Sequence, residues 1–130
     1  MRVGIAISSF RSDDDVIGLL EKIISEFWPF EGIIIVDSLG EGKIQNYIIR
    51  QKLKNIEYYN FNINLGSAGN LKERLSICAE KDWDFVLALN HDALVSKFTY
   101  LELLRYTHME KLGAIYPLRY YKNKNFYDYS

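Results

Sequence analysis

One cysteine, two prolines and eight glycines are all that this 130-residue chain has of the residues that staple or break a fold. The lone Cys78 has no partner for an internal disulfide, and disulfide scaffolds need such pairs. Neither sign of charge dominates: sixteen Lys and Arg against seventeen Asp and Glu leave a net charge of −1. A chain so balanced lacks the broad positive field that polymeric nucleic acid requires, so nucleic acid is not an expected partner. The longest unbroken apolar run is Phe85–Leu89, far short of the ~20 residues that span a bilayer. Met1 and Arg2 lead straight into a strand-like segment without a signal-peptide core, so the expectation is a cytoplasmic protein. Peripheral association at the inner face of a membrane stays open.

At 48% hydrophobic and 25% charged, the composition is that of a globular chain, long enough to bury a core without staples. Two kinds of segment alternate. Residues 3–8 read as a buried strand, and 13–28 carry Val16, Ile17, Leu19, Leu20, Ile23, Ile24 and Phe27 at helical spacing, with Asp13 as the expected N-cap. Residues 33–36 are four β-branched side chains ending at Asp37, the mark of an inner parallel strand. Ile44, Ile48, Ile49 and Leu53 space a second helix, and 56–61 make a third strand. A third helix over 67–82 carries Leu71, Leu75, Cys78 and Ala79, and Phe85–Leu89 is a fourth strand. A helix over 97–110 and a fifth strand over 113–118 complete the expected elements. The alternation predicts an α/β fold: an open, mostly parallel sheet with helices on both faces.

In such sheets ligands bind outside the carboxyl ends of the strands. Those ends read Ser8-Ser9-Phe10-Arg11, Asp37-Ser38-Leu39-Gly40, Asn64-Leu65-Gly66-Ser67-Ala68-Gly69-Asn70 and Asn90-His91-Asp92. Asn90 and Asp92 place two oxygen-bearing groups at i and i+2, a donor set for Mg²⁺ or Mn²⁺ when a diphosphate supplies further oxygens. An Asn-x-Asp after a strand is also an ordinary turn. Gly66 and Gly69 open a helix start where amides can meet a phosphate or ribose, or only satisfy left-handed turn geometry. Asp37 suits a base or ribose contact, or a cap on the turn to Gly40. Asp13, Asp14 and Asp15 read as a solvated helix start rather than a metal cluster. The first turn has no Gly-x-Gly-x-x-Gly, and no Gly-Lys-Ser/Thr occurs, which excludes the dinucleotide fingerprint and the Walker loop.

Taken in order, these strand ends resemble the nucleotide-sugar-binding half of the family 2 glycosyltransferases, a Rossmann-like half of the GT-A fold. Residues 7–11 look like the family's Pro-Thr-Tyr-Asn-Arg segment, and Ile35-Val36-Asp37-Ser38 is similar to its Val-Val-Asp-Asp/Asn. Asn64 to Gly69 matches the Asn-x-Gly-x-Ala-Gly of rhamnosyl- and galactofuranosyltransferase-like members, and Leu89-Asn90-His91-Asp92 stands where they carry Leu-Asn-x-Asp. Ser38 and Lys72 depart from the pattern.

The resemblance implies a donor site for a nucleoside diphosphate sugar, UDP- or dTDP-linked, transferred to a glycan or lipid-linked acceptor. Asp92 is then the metal-facing carboxylate for Mg²⁺ or Mn²⁺. Ser8, Ser9, Arg11, Asp37, Ser38, Asn64, Gly66, Gly69 and Asn90 are the expected substrate contacts. Residues 1–118 form the expected donor domain and 119–130 a tyrosine-rich segment. The family's acceptor region and catalytic base follow the fifth strand, and after Leu118 the only acid is Asp128. The expectation is therefore a chain inactive alone, or a non-catalytic binding module derived from a glycosyltransferase. Tyr120, Tyr121, Phe126, Tyr127 and Tyr129 read as a contact surface for a second copy or a second chain.

Overall fold

The computed structural model describes residues 1–115, 117, 119–121 and 126–128. The elements run β1 (Val3–Ser9), α1 (Asp13–Ser25), β2 (Gly32–Asp37), α2 (Lys43–Arg50), β3 (Ile56–Asn60), α3 (Gly66–Ala79), β4 (Phe85–Leu89), α4 (Lys97–Arg105), β5 (Arg119–Tyr121) and β6 (Phe126–Asp128). They fall into two compact units, Met1–Leu94 and Val95–Ser130.

The first unit is the expected parallel α/β fold. Its sheet has the order β3-β2-β1-β4, with Ile7 opposite both Ile35 and Leu89. β1 and β2 are inner strands, and their runs of Ile, Val and Ala are buried on both faces. Right-handed crossovers from β1 to β2 and from β2 to β3 run one way across the sheet, and the crossover from β3 to β4 runs back. α1 and α2 therefore share one face and pack together, while α3 lies over β1 and β2 on the other. On the α3 face Ala6, Ile34, Val36 and Cys78 form a buried cluster joined by Tyr59, Leu65 and Trp83. Trp83 lies flat where two strands lack side chains: a Cβ on Gly4 would fall 1.9 Å from its ring, and one on Gly32 2.9 Å away.

Five local expectations are corrected. The α1 N-cap is Ser12, not Asp13. Asp13 is buried and accepts from the amides of Glu41 at 3.2 Å and Lys43 at 3.0 Å, so its carboxylate closes the first turn of α2 instead of its own helix. Asp14 and Asp15 are exposed, as a solvated helix start requires. α1 stops at Ser25, because Phe27 takes a left-handed φ of +53° and the amide of Trp28 bonds the carbonyl of Ile23 at 3.1 Å, a Schellman termination.

α3 presents a face rotated by about one residue, roughly 100°, from the one its leucines suggest. Leu71 and Leu75 are 39% and 49% exposed and Ala79 is exposed, whereas Asn70, Arg74 and Cys78 are buried. Carbonyls of β1, β2 and β4 need donors here, and Asn70 and Arg74 supply them. Residues 113–115 and Pro117 form no strand, since proline cannot donate to an inner ladder. Among the described residues the next strand is β5, which joins β6 in a separate antiparallel pair; Tyr116 and Leu118 of the expected fifth strand lie outside the described residues. α4 likewise ends at Arg105 rather than residue 110, followed by turns such as that from Met109 to Tyr106. Tyr129 lies outside the described residues.

Candidate functional site at the strand ends

β1 is bonded to β2 on one side and to β4 on the other, so the point where the crossovers reverse falls between the carboxyl ends of β1 and β4. The register pairs Ile7 with Leu89, and one residue beyond it the Ser8 hydroxyl donates to Asn90 Oδ1 at 3.3 Å. The chain then turns back, the Ala93 amide reaching the Asn90 carbonyl at 3.0 Å. The turn that Asn-x-Asp suggests is therefore present. It is closed by backbone, which leaves the exposed Asp92 carboxylate without a hydrogen bond or ion pair among the described residues.

A second cluster sits between β1 and β2. Ser9 pairs with Asp37, its carbonyl accepts from the Ser38 amide at 3.0 Å, and the Arg11 amide bonds the Leu39 carbonyl at 2.9 Å. Arg11 itself is exposed at φ +50°, with its guanidinium 5.4 Å from the centre of the Phe10 ring. Asp37 is fully buried. One of its oxygens accepts from the Tyr58 hydroxyl at 2.6 Å, and a Cβ on Gly40 would lie 1.8 Å from that same oxygen. Only glycine fits there, and the turn after β2 closes directly over the carboxylate. Burial pushes Asp37 above the usual carboxylate range, the Tyr58 hydrogen bond opposes this, and the Asp13 charge adds to it. Burial and then the Asp37 hydrogen bond drive the Tyr58 phenol upward. Asp37 is thus a clasp between β2, β3 and the Leu39–Gly40 turn.

Asn64 Oδ1 accepts from the Gly66 amide at 3.0 Å, and Gly66 takes φ +67°. Both glycines lie inside the first turns of α3 rather than before it. Gly66, Ser67 and Ala68 are exposed, while Gly69 gives room to Leu65, whose Cβ would be 3.3 Å from an added methyl. Behind them the Asn70 amide donates to the Val36 carbonyl at 2.9 Å and to Ser38 Oγ at 3.2 Å. Arg74 donates to the carbonyls of Leu89 at 2.9 Å and Ala6 at 3.2 Å.

Ser8 and Asn90 are therefore in contact, and Ser9, Asp37 and Ser38 form one stitched cluster. No hydrogen bond among the described residues joins Asn64 or Asp92 to either. Tyr58, Asn70 and Arg74 complete the strand ends without having been singled out by sequence. For the last two the signal was available as the i, i+4, i+8 row Asn70-Arg74-Cys78. A groove of about 380 Å³ between α1 and α2, beside Ile17 and Tyr47, touches none of these residues.

Among the described residues no group of three His, Cys, Asp or Glu side chains could hold a metal. A single exposed carboxylate such as Asp92 would suit only a hard cation that arrives with oxygens from its own ligand. Among the described residues no helix is long and apolar enough to cross a membrane. No protein-family model matches this sequence, and no curated protein matches it.

Proposed function

We propose that the Met1–Leu94 unit is the donor-binding half of a glycosyltransferase that takes a UDP- or dTDP-linked sugar with Mg²⁺ or Mn²⁺. One observation carries the reading: the unpaired, exposed Asp92 lies two residues beyond the Ser8–Asn90 bridge, at the switch point of a 3-2-1-4 parallel sheet. That is where a doubly wound sheet binds nucleotides.

In this reading Asp92 holds the cation, and Asn90, oriented by Ser8, faces the ribose or the sugar. The cation would neutralise the diphosphate and so stabilise it as the leaving group. The exposed residues Ser67 and Ala68 in the first turn of α3 offer backbone amides to phosphate oxygens, the Gly66 amide being held by Asn64. Asp37 acts indirectly: sealed beneath Gly40 and tied to Tyr58, it fixes the turn that forms the nucleoside side of the edge. Ser9 and Ser38 hold the same turn from β1. Arg11, exposed on the rim, is placed to meet a phosphate or ribose.

Titration calorimetry with UDP and dTDP tests this. Binding is expected with Mn²⁺ or Mg²⁺, and Asp92→Ala is expected to weaken the metal-dependent component about tenfold or more, ~1.4 kcal/mol or above. Absence of nucleotide binding with either cation, or an Asp92→Ala protein that keeps full metal-dependent affinity, refutes the reading.

A further inference from the structure

Arg74 is the least expected group in the Met1–Leu94 unit. Its side chain is 4% exposed, in the middle of the face that α3 turns to the sheet. It pairs with no carboxylate among the described residues, and its partners there are two neutral carbonyls, Leu89 O and Ala6 O. Its Nε is buried without a partner. Burial pulls the guanidinium below its ordinary range, and among the described residues the group that opposes this pull is the Cys78 thiol rather than a carboxylate. A charge removed from water without a counter-charge is costly, and proteins keep one where something repays it.

The position shows what that is. Leu89 is the last residue of β4, paired with Ile7 at the end of the β1–β4 ladder, and Asn90 follows directly. One guanidinium nitrogen reaches both strands where they part, so the charge lies beneath the crevice that the Ser8–Asn90 bridge spans. We propose that Arg74 is a positioning residue whose unpaired charge is completed by an anion of the pyrophosphate class bound at the ends of β1 and β4. It holds the Leu89 carbonyl, hence the direction of Asn90 and Asp92, and adds a fixed positive field from below without touching the ligand. The inference rests on the reading of the strand ends as a diphosphate site, and it assigns a residue to that site outside the strand-end motifs.

The test compares Arg74→Lys, which keeps the charge, with Arg74→Met, which removes it at similar volume, using inorganic pyrophosphate, UDP and uridine in the presence of Mg²⁺. Arg74→Met is expected to weaken pyrophosphate and UDP about tenfold, the effect of one charge acting over roughly 10 Å of protein. Uridine binding is expected to stay unchanged and Arg74→Lys to remain within about threefold of the wild type, inside the tenfold window set by the charge. In the wild-type protein the Arg74 Nε–H resonance, identified by its loss in Arg74→Lys, is expected to move on adding pyrophosphate. That readout stands if Arg74→Met fails to fold. Equal binding by wild type and Arg74→Met, a parallel loss of uridine, a loss in Arg74→Lys as large as in Arg74→Met, or a motionless Nε–H signal each overturns the proposal. Arg74-dependent pyrophosphate binding without any nucleoside diphosphate binding supports Arg74 and sinks the glycosyltransferase reading. Metal-dependent UDP binding indifferent to Arg74 does the reverse, and a wild-type protein that binds none of the three probes sinks both.

Discussion

Replacing Tyr58 by Phe removes one hydroxyl and leaves the ring. The hydroxyl donates at 2.6 Å to Asp37, a fully buried carboxylate whose other oxygen has no hydrogen-bond partner among the described residues. A hydrogen bond to a charged group is worth about 1.5–3 kcal/mol, so a loss near 2 kcal/mol is expected at neutral pH. For a protein of this size that corresponds to a fall of roughly 6–10 °C in Tm. The control is Asp37→Asn, which turns the same contact into a neutral one worth about 1 kcal/mol, so Tyr58→Phe should cost about half as much in that background. The pH dependence has a fixed sign. Burial raises Asp37 in the folded state, so its carboxyl holds a proton more tightly there than in the unfolded chain. The associated stability is complete below the unfolded value near pH 4 and lost as pH rises through the folded value. Asp37→Asn, which does not titrate, should therefore gain on the wild type from about pH 4 toward neutrality. The Tyr58 hydrogen bond favours the ionised form, so the cost of Tyr58→Phe should shrink toward acid. Urea denaturation from acid to neutral pH measures all three. A Tyr58→Phe cost below about 0.5 kcal/mol, or equal costs in the wild-type and Asp37→Asn backgrounds, would refute the clasp.

Two other substitutions test the frame around the site. Gly4→Ala places a methyl 1.9 Å from the Trp83 ring and is expected to cost about 2–3 kcal/mol, with much of the loss recovered when Trp83→Leu opens the space; an unchanged urea midpoint for the single variant would contradict that packing. Phe27→Gly relieves a left-handed φ of +53° at a side chain that is 84% exposed, so a rise of about 0.5–1 kcal/mol is expected, and a lower Tm would show that the ring makes a contact the strain does not outweigh.

The strands of the Met1–Leu94 unit were legible because strands of a parallel sheet read as short continuous apolar runs, as residues 33–36 do on the inner strand β2 and 85–89 on the edge strand β4. Their order follows from alternation and crossover handedness. With that order, Ser8 and Asn90 meet although 82 residues separate them. The buried face of α3 was missed because apolar periodicity rewards leucine over the polar row Asn70-Arg74-Cys78. Here the sheet end needed donors for the carbonyls of Ala6, Val36 and Leu89, and that demand appears only once three strands are assembled. Asp37 was legible as a ligand contact or as a cap on the turn to Gly40, but the closeness of Gly40 to its carboxylate depends on a turn whose backbone path no composition rule supplies. The fifth strand failed at Pro117, whose missing amide outweighed the apolar residues around it.

The attachment of α3 bears on how this unit can move. Helices resting on apolar surfaces slide over them by small steps, the shear motion by which many ligand-binding folds close. α3 is held by directional bonds from Asn70 to β2 and from Arg74 to β1 and β4, and sliding by one residue would break all of them together. Any closure around a ligand would therefore fall to the loops at the strand ends, residues 61–65 before α3 and 90–93 after β4, while α3 and the three strands travel as a single piece.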